Sequence, residues 1–343
     1  MNRSALVSLI VPVYNEADGL DELIRELSKL QTNRFGDSFE FVLVDDGSTD
    51  DTWQELLVWA EHEPRLTLVR LAGNRGAHRA ARAGLEAARG DVMIVIPADL
   101  QEGIDLVEAC LDAWHQSGNM VVMMAPKHGR VYDNRLSAWA AGLFYLVLRA
   151  TTGLYKNVPV RSQVKLMDRV ATDAFLENSS AYTLRAPFVL RQKFPCDVVF
   201  YEVQKRGRGK SKWNFRKKTA LFLDVLIDVS AWVLSPWRIA AAGFALYACL
   251  MAASWAFGPA GQALAAVADF SLRATVLAVL AVLGVHVVRI HEELRGRPVY
   301  VIREVRRGGV NAKRSRKKTV AVVGEEVTEE PEKEPVQMVA QSK

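Results

Sequence analysis

Between Ala5 and about residue 130, short continuous apolar runs alternate with longer amphipathic ones. The runs "ALVSLIVPVYN", "FEFVLVDDGST", "LTLVRLA" and "DVMIVIPADL" show no polar alternation, which is the pattern of strands buried on both faces. The first of them is expected to stop at Pro12 and Asn15. Between them, "GLDELIRELSKL" carries Leu20, Leu23, Ile24, Leu27 and Leu30 at helical spacing. "DDTWQELLVWAEHE" and the alanine-rich "GAHRAARAGLEAARG" give two more helices, the former with Ser48 or Thr49 placed to cap it. Buried strands separated by amphipathic helices specify an α/β sheet with helices on both faces. Ligands of such sheets sit beyond the carboxyl ends of the strands.

The pattern changes twice further on. Residues 132–235 are mixed: "NRLSAWAAGLFYLVLRATTGL" suits an interfacial helix or a buried core helix, and "RGRGKSKWNFRKK" is a glycine- and cation-rich loop. No charge occurs between Arg238 and Asp269, and "IAAAGFALYACLMAASWAFGP" has about the 20 apolar residues a bilayer crossing needs. "FSLRATVLAVLAVLGVHVVRI" is a second such segment, so spans are expected at about 237–257 and 270–290, joined near Gly258–Gln262. A pair of buried helices in a soluble bundle is the weaker reading. Arg216, Lys217 and Lys218 precede the first span and Arg289, Arg295 and Arg297 follow the second. That distribution puts both ends in the cytoplasm and the chain in the inner membrane as a multi-pass protein. The expected organisation is therefore a cytoplasmic domain over 1–235, spans within 236–290, a cytoplasmic return segment over 291–310 and a disordered charged tail over 311–343.

Composition sharpens this picture in two respects. The net charge of +5 is modest, and its cations cluster at 205–218 and 289–318 beside the apolar segments, which favours a lipid membrane over nucleic acid. Cys110, Cys196 and Cys249 form no CxxC pair, so neither a zinc site nor a disulfide framework is indicated, and a reduced compartment is expected. The first strand begins within a few residues of Met1, so no signal peptide is expected.

The chemistry gathers at strand ends. Asp99 closes "VIPAD", Asp45 and Asp46 close "VLVDD", and Glu16 follows "VPVYN". Taken alone, Asp99 serves equally as a metal ligand or as the cap of the helix in "LQEGIDLVEACLDAW". Acids collected at one edge repel one another unless a cation joins them, so the company favours a hard ion, Mg²⁺ or Mn²⁺, bound with a diphosphate. His78 and His286 are weighed as ordinary helix residues, and Trp213 and Trp237 suit an interfacial belt.

Here the motifs carry a resemblance. "IVPVYNEADGLDELI", "FEFVLVDDGSTDDT", "GNRGAHRAARAGLEAARGDVMIVIPADLQ" and "GRGKSKW", with the hairpin and "HEELRGRPVYVIRE", resemble the family 2 glycosyltransferases of GT-A fold. Within that family they resemble the polyprenyl-phosphate branch, which includes dolichol-phosphate mannose synthase and the bactoprenol glucosyltransferases. The likeness covers roughly residues 5–305 and implies a GT-A, Rossmann-like mixed sheet followed by a transmembrane hairpin. It implies an inverting transfer of sugar from a nucleotide-diphosphate donor, UDP- or GDP-linked, to polyprenyl phosphate. It also implies a homo-oligomer, a tetramer. By matching motifs, Pro12, Tyr14, Glu16, Asp45 and Asp46 would line the nucleotide-sugar pocket with Pro97, Ala98 and Asp99. Asp99 would face the metal and diphosphate, followed by Gln101. Arg135 and Arg206 would hold phosphates, with Lys127, Ser211 and Lys212 toward the acceptor.

The chain departs from the family pattern at three places. Pro97 stands where the family's Asp-Ala-Asp motif has its first acid. Ser162, Gln163 and Val164 stand where Gly-Asp-Phe is usual, and Pro126 stands where a phosphate-binding arginine is expected, with Lys127 and Arg130 nearby. These changes point either to a changed donor or metal dependence or to lost catalysis, which sets the alternative reading: a catalytically silent homologue that binds nucleotide sugar or scaffolds a membrane complex. A processive polysaccharide synthase is disfavoured, since such enzymes bring more spans and a Gln-x-x-Arg-Trp-type motif.

Overall fold

The computed structural model describes residues 4–30, 37–99, 104–126, 158–159, 162–178, 185–202, 235–295 and 298–309. The expected helix at 134–154, the basic loop at 206–218 and the tail lie outside them. Among the described residues, eight strands form one sheet: β1 (Leu6–Val13), β2 (Ser38–Asp45), β3 (Leu66–Leu71), β4 (Val92–Val95), β5 (Val121–Pro126), β6 (Gln163–Asp168), β7 (Cys196–Tyr201) and β8 (Ile302–Arg307). Their order is β7-β5-β6-β4-β1-β2-β3-β8. Strands β4, β1, β2 and β3 run parallel, while β6 pairs antiparallel with β4 and β5, and β8 pairs antiparallel with β3.

Two apolar layers cover the sheet, as the uninterrupted strand runs require. On one face α1 (Ala17–Ser28), α2 (Thr52–His62) and α4 (Asp105–Ser117) pack against Leu9, Val11, Phe41, Leu43 and Leu68. On the other, α3 (Ala77–Ala87), α5 (Arg169–Asn178) and α6 (Arg185–Gln192) cover Ile10, Val42, Val44 and Val69. The alanine-rich α3 lies close because Gly84 faces the sheet; a Cβ there would stand 2.4 Å from Ile10 Cγ2.

Topology locates the site before any side chain is considered. The chain winds from β1 outward through β2 to β3, then α3 returns it across β1 to β4. The order of strands reverses between β1 and β4, and their carboxyl ends open a crevice there. Strand β1 runs through Pro12 to Val13 instead of stopping at the proline, because Pro12 pairs in register with Val44 of β2. Its effect falls on the other side. Ile96 N–H donates to Ile10 O (3.0 Å), and by the ladder's alternation the next donor toward β4 would be the N–H of Pro12, which has none. Strand β4 ends at Val95 and turns away, so the expected strand through Leu100 is shortened and Pro97, Ala98 and Asp99 lie at the mouth.

The return segment also differs from expectation. It contributes β8, which sequence reading missed: "IREVRR" is cation-rich and lacks the continuous apolar run of the other strands. Before it, α7 (Pro236–Ala256) and α8 (Gln262–Leu294) form an antiparallel pair around a short turn at Gly258–Gly261. Both are long and apolar enough to cross a membrane, and their apolar side chains are largely exposed. They meet where Gly243 lies against Thr275, at 2.2 Å from where a Cβ would stand. The second apolar helix starts at Gln262, eight residues earlier than expected. His286 bonds its own helix, Nδ1 lying 2.8 Å from Val282 O.

Candidate functional site

The floor of the crevice is made by three strand-end loops tied to one another by side chains. Asn15 sits in the left-handed region (φ 51), which asparagine tolerates better than most residues. There its N–H donates to Ser48 Oγ (3.0 Å) and its Oδ1 accepts from Thr49 N–H (2.9 Å). Glu16 N–H donates to Thr52 Oγ1 (3.0 Å), whose hydroxyl donates to Asp50 Oδ1 (2.6 Å). Burial pushes the Asp50 carboxyl up, but hydrogen bonds from Thr52 and Ala17 outweigh it and hold the group below the ordinary carboxylate range.

Ser48 and Thr49 therefore do not cap α2 as expected. They serve a loop 33 and 34 residues away, and Asp50 takes the Thr52 amide at 3.1 Å instead.

Asp46 makes the second tie. Its Oδ1 accepts from Arg75 N–H (2.7 Å) and its Oδ2 from Gly76 N–H (2.8 Å), so one carboxylate closes the β3–α3 loop onto β2. Burial lifts its carboxyl above the usual carboxylate range, against those two amides. Asp45 is fully buried; its Oδ1 takes Ser48 N–H (2.8 Å) and its Oδ2 lies 3.1 Å from Arg70 Nε, a charge contact without aligned hydrogen-bond geometry. Gly47 has φ +72, and a Cβ on it would stand 2.7 Å from the Gly73 backbone, so only glycine lets the two loops touch.

The residues expected to line the pocket take different stations. Pro12, Tyr14 and Glu16 are half-buried at the end of β1 and in the loop that follows. Pro97 and Ala98 are half-buried, and Asp99 is exposed at the turn after β4. Helix α4 starts at Asp105 with Ile104 before it, which removes the capping role considered for Asp99. Gln101, Lys127, Arg135, Arg206, Ser211 and Lys212 lie outside the described residues.

Register brings the departures from the family pattern together. Ile94 faces Leu166 across the antiparallel β4–β6 pair, so Pro97, just past the end of β4, and Gln163, at the start of β6, lie at the same end of that pair. Ser162 is buried with its hydroxyl on Pro159 O (2.7 Å), Val164 joins the core, and Gln163 is exposed. Next to them lies a residue that sequence reading passed over. Lys165 is buried in β6 where the pairing with β5 shifts register between Val122 and Met123. A lysine inside "QVKLMD" was the available signal, since buried lysines are rare.

Among the described residues, no group of three or more His, Cys, Asp or Glu side chains gathers to hold a metal. Asp45 and Asp46 are held by protein partners deep in the loops, and Asp99 lies exposed at the mouth. One carboxylate fits a hard ion that takes its remaining ligands from substrate phosphates and water. The opposite edge of the sheet has buried acids of a different kind. Glu40 is held by Ser8 Oγ (2.5 Å) and the Arg89 amide (2.6 Å), and Asp37 by His115 Nε2 (2.7 Å) and the Ala5 amide (2.7 Å).

The family model "Glycosyl transferase family 2" matches residues 8–171. The chain is 32% identical over 328 residues to an undecaprenyl-phosphate 4-deoxy-4-formamido-L-arabinose transferase of Enterobacter sp., covering 89% of this chain and 95% of that one. It is 28% identical over 314 residues to the bactoprenol glucosyl transferase of Shigella phage SfII, covering 88% and 99%. Among solved structures, the mannosyltransferase PcManGT from Pyrobaculum calidifontis, in complex with GDP-Man and Mn²⁺, matches at TM-score 0.39 and 21% identity over 81% of this chain and 87% of that one. That score is too low to carry residue roles across.

The Asp46 tie yields a direct test. Asp46→Asn keeps the size but turns one acceptor into a donor facing an amide N–H. Hydrogen bonds to a charged group contribute about 1.5–3 kcal/mol. Amide exchange at Arg75 and Gly76 should therefore quicken by about tenfold or more, read by hydrogen-exchange mass spectrometry. Unchanged exchange there would show that the loop is held by something else.

Proposed function

We propose, from the premise that this chain belongs to glycosyl transferase family 2, that it moves a sugar from a nucleotide-diphosphate donor to polyprenyl phosphate at a membrane. The observation that carries the reading is the crevice between β1 and β4, with an exposed carboxylate, Asp99, at its mouth and two loops clasped across its floor. The printed names of the relatives, undecaprenyl phosphate for one and bactoprenol for the other, support the acceptor class.

In this reading the donor nucleotide, UDP or GDP, lies along Tyr14–Glu16 and the loop after Asp46, with the diphosphate toward Pro97, Ala98 and Asp99. An acceptor phosphate oxygen forms the new bond to the anomeric carbon from the face opposite the leaving group. The bond from that carbon to the diphosphate oxygen breaks, and the diphosphate leaves with the electron pair. The acceptor phosphate is already ionised near neutral pH, so the chain needs no strong general base. Its task is to position two anions that repel each other. We assign that task to Gln101, Lys127, Arg135, Arg206, Ser211 and Lys212. A Mg²⁺ or Mn²⁺ ion held by Asp99 would neutralise charge developing on the leaving diphosphate.

Three tests follow. Purified protein given labelled nucleotide sugars, polyprenyl phosphate and Mg²⁺ or Mn²⁺ should yield a labelled lipid on extraction. Asp99→Ala should lower that yield by about 100-fold or more without changing the fold or membrane insertion. Undiminished transfer by the variant would remove Asp99 from the mechanism.

The second test concerns the ion. With Pro97 and Gln163 in place of acids, the protein offers few charges of its own, so metal and nucleotide should each bind poorly alone and strengthen each other by the same factor. Calorimetry with Mn²⁺, nucleotide and both should show this, and Pro97→Asp should tighten Mn²⁺ binding without nucleotide. Tight Mn²⁺ binding by the unchanged protein would refute the account. Failure to bind any nucleotide would favour the silent homologue, the reading that the neutral pair Pro97 and Gln163 otherwise supports.

The third concerns topology. Strand β8 follows the apolar hairpin and joins the same sheet as β1–β7, which supports an even number of crossings, and the flanking cations favour the cytoplasmic side. In spheroplasts, tags at residues 2 and 343 should resist external protease, and a tag near Gln262 should be cut. A cleaved C-terminal tag would mean one crossing.

A further inference from the structure

The last strand has a feature that sugar transfer does not use. Strand β8 closes one side of the sheet, and its outer edge carries no described strand. It is fixed along its length: Ala72 N–H donates to Val301 O (2.8 Å), Gly308 N–H to Leu66 O (2.7 Å) and Gly309 N–H to Ala60 O (3.0 Å). Ile302 and Tyr300 pack against the core layer under α3. The pairing with β3 shifts register beside Arg70 and Leu71, so that Glu304 and Ile302 are paired and Arg303 is skipped. Arg303 and Arg307 are exposed, and Arg306 pairs with Glu304 at 2.5 Å.

An unpaired edge invites another strand, and these residues argue against a second copy of this one. Two β8 strands laid antiparallel about their midpoint would set Arg303 opposite Arg306 and Ile302 opposite Arg307, placing like charges face to face. The bulge and the arginines are the devices by which edges avoid strand pairing. What suits them is an anionic surface with no backbone to pair.

Position supplies such a surface. Helix α8 ends at Leu294 and β8 starts at Ile302, so seven residues, 295–301, separate them. A chain that short reaches at most about 25 Å. If α8 crosses a bilayer, β8 is held within reach of its headgroups, and exposed Arg295 stands in the connection. We infer that the outer edge of β8, through Arg303 and Arg307, binds the phosphates of anionic phospholipids and so fixes the tilt of the catalytic sheet over the membrane. The inference rests on the membrane anchoring proposed above. Lipid attraction of this kind is electrostatic and falls away with salt.

The test uses the full chain and labels arginines in place. Protein in nanodiscs of phosphatidylcholine alone, or of phosphatidylcholine with phosphatidylglycerol, is treated with phenylglyoxal at low salt, and the modified residues are read by mass spectrometry. Arg303 and Arg307 should react at least about fivefold more slowly in the anionic discs, and 1 M NaCl should abolish the difference. Arg89, exposed just before β4 in the middle of the sheet, should react equally in both. Equal rates at Arg303 and Arg307 would overturn the inference, as would a slowing shared by Arg89. Protection in neutral discs that grows with the number of chains per disc would assign the edge to a second copy and overturn it too. Flotation with neutral vesicles tests the anchoring separately. A chain that floats but shows no lipid-dependent labelling refutes the edge contact alone, whereas one that does not float refutes the membrane reading.

Discussion

One carboxylate, that of Asp46, accepts hydrogen bonds from two backbone amides, and the candidate site is built outward from it. Burying an acid is unfavourable, which is why this one is pushed up from its ordinary range. Two short bonds from amides without helical partners at the start of α3 offset that cost, since bonds to charged acceptors contribute roughly twice what neutral ones do. The amides of Arg75 and Gly76 would otherwise need water, and the loop would be free to leave the sheet. From the other side, Asn15 clasps Ser48 and Thr49. The ends of β1, β2 and β3 thereby become one rigid piece. Strand β4 does not share in it, because Pro12 offers no amide to continue the ladder. A firm floor and one separated wall follow from two local facts of chain chemistry.

That rigid piece is joined to the hairpin through the same strand, β3. Its free side pairs with β8, and β8 arrives directly from α8. Tyr300 and Ile302 add a second connection, packing under α3, whose amino end is the loop that Asp46 holds. Burial, and then Glu86, push the Tyr300 hydroxyl well above its ordinary pKa, so it stays protonated. Between the apolar helices and the site lie a strand pairing and a packed helix, with Gly84 letting α3 sit against Ile10 and Val44. Such a path is stiff because each step is close-packed and hydrogen-bonded. It is suited to fixing an orientation more than to transmitting a motion.

How much of this was legible in the sequence depended on how local the cause was. The buried strands and their helices follow from runs of apolar residues, so β1–β3 and α1–α3 emerge near their observed bounds, whereas β4 stops at Val95, short of the apolar run. Strand β8 does not, because an edge strand needs little apolar surface and its register is set by β3, more than two hundred residues earlier. Ser48 and Thr49 looked like caps because capping is a local rule, whereas their partner Asn15 is distant in sequence. Pro12 was read as the end of a strand, but a proline interrupts only the neighbour its nitrogen faces, and that neighbour is known only from the sheet order. The position of Asp99 at a strand end was legible. Its lack of a capping role was not, since that depends on where α4 begins.

The two positions that lack acids are best understood as one change. Pro97 and Gln163 are separated by 66 residues in sequence, but one follows β4 and the other opens β6, the strand that pairs antiparallel with it. Two ionised carboxylates about 5 Å apart would repel each other by on the order of 3 kcal/mol at an effective dielectric of 20. Such a pair stays charged only if a cation lies between its members. Removing one acid relieves the other of that repulsion but leaves less charge to hold a cation, and removing both leaves a neutral pair that asks for no cation. A substrate that brings its own negative charge suits such a mouth better than a free cation does. Under the proposed function the diphosphate of a nucleotide sugar does that, so ion and donor would enter as a unit, with Asp99 as the carboxylate proposed to meet them.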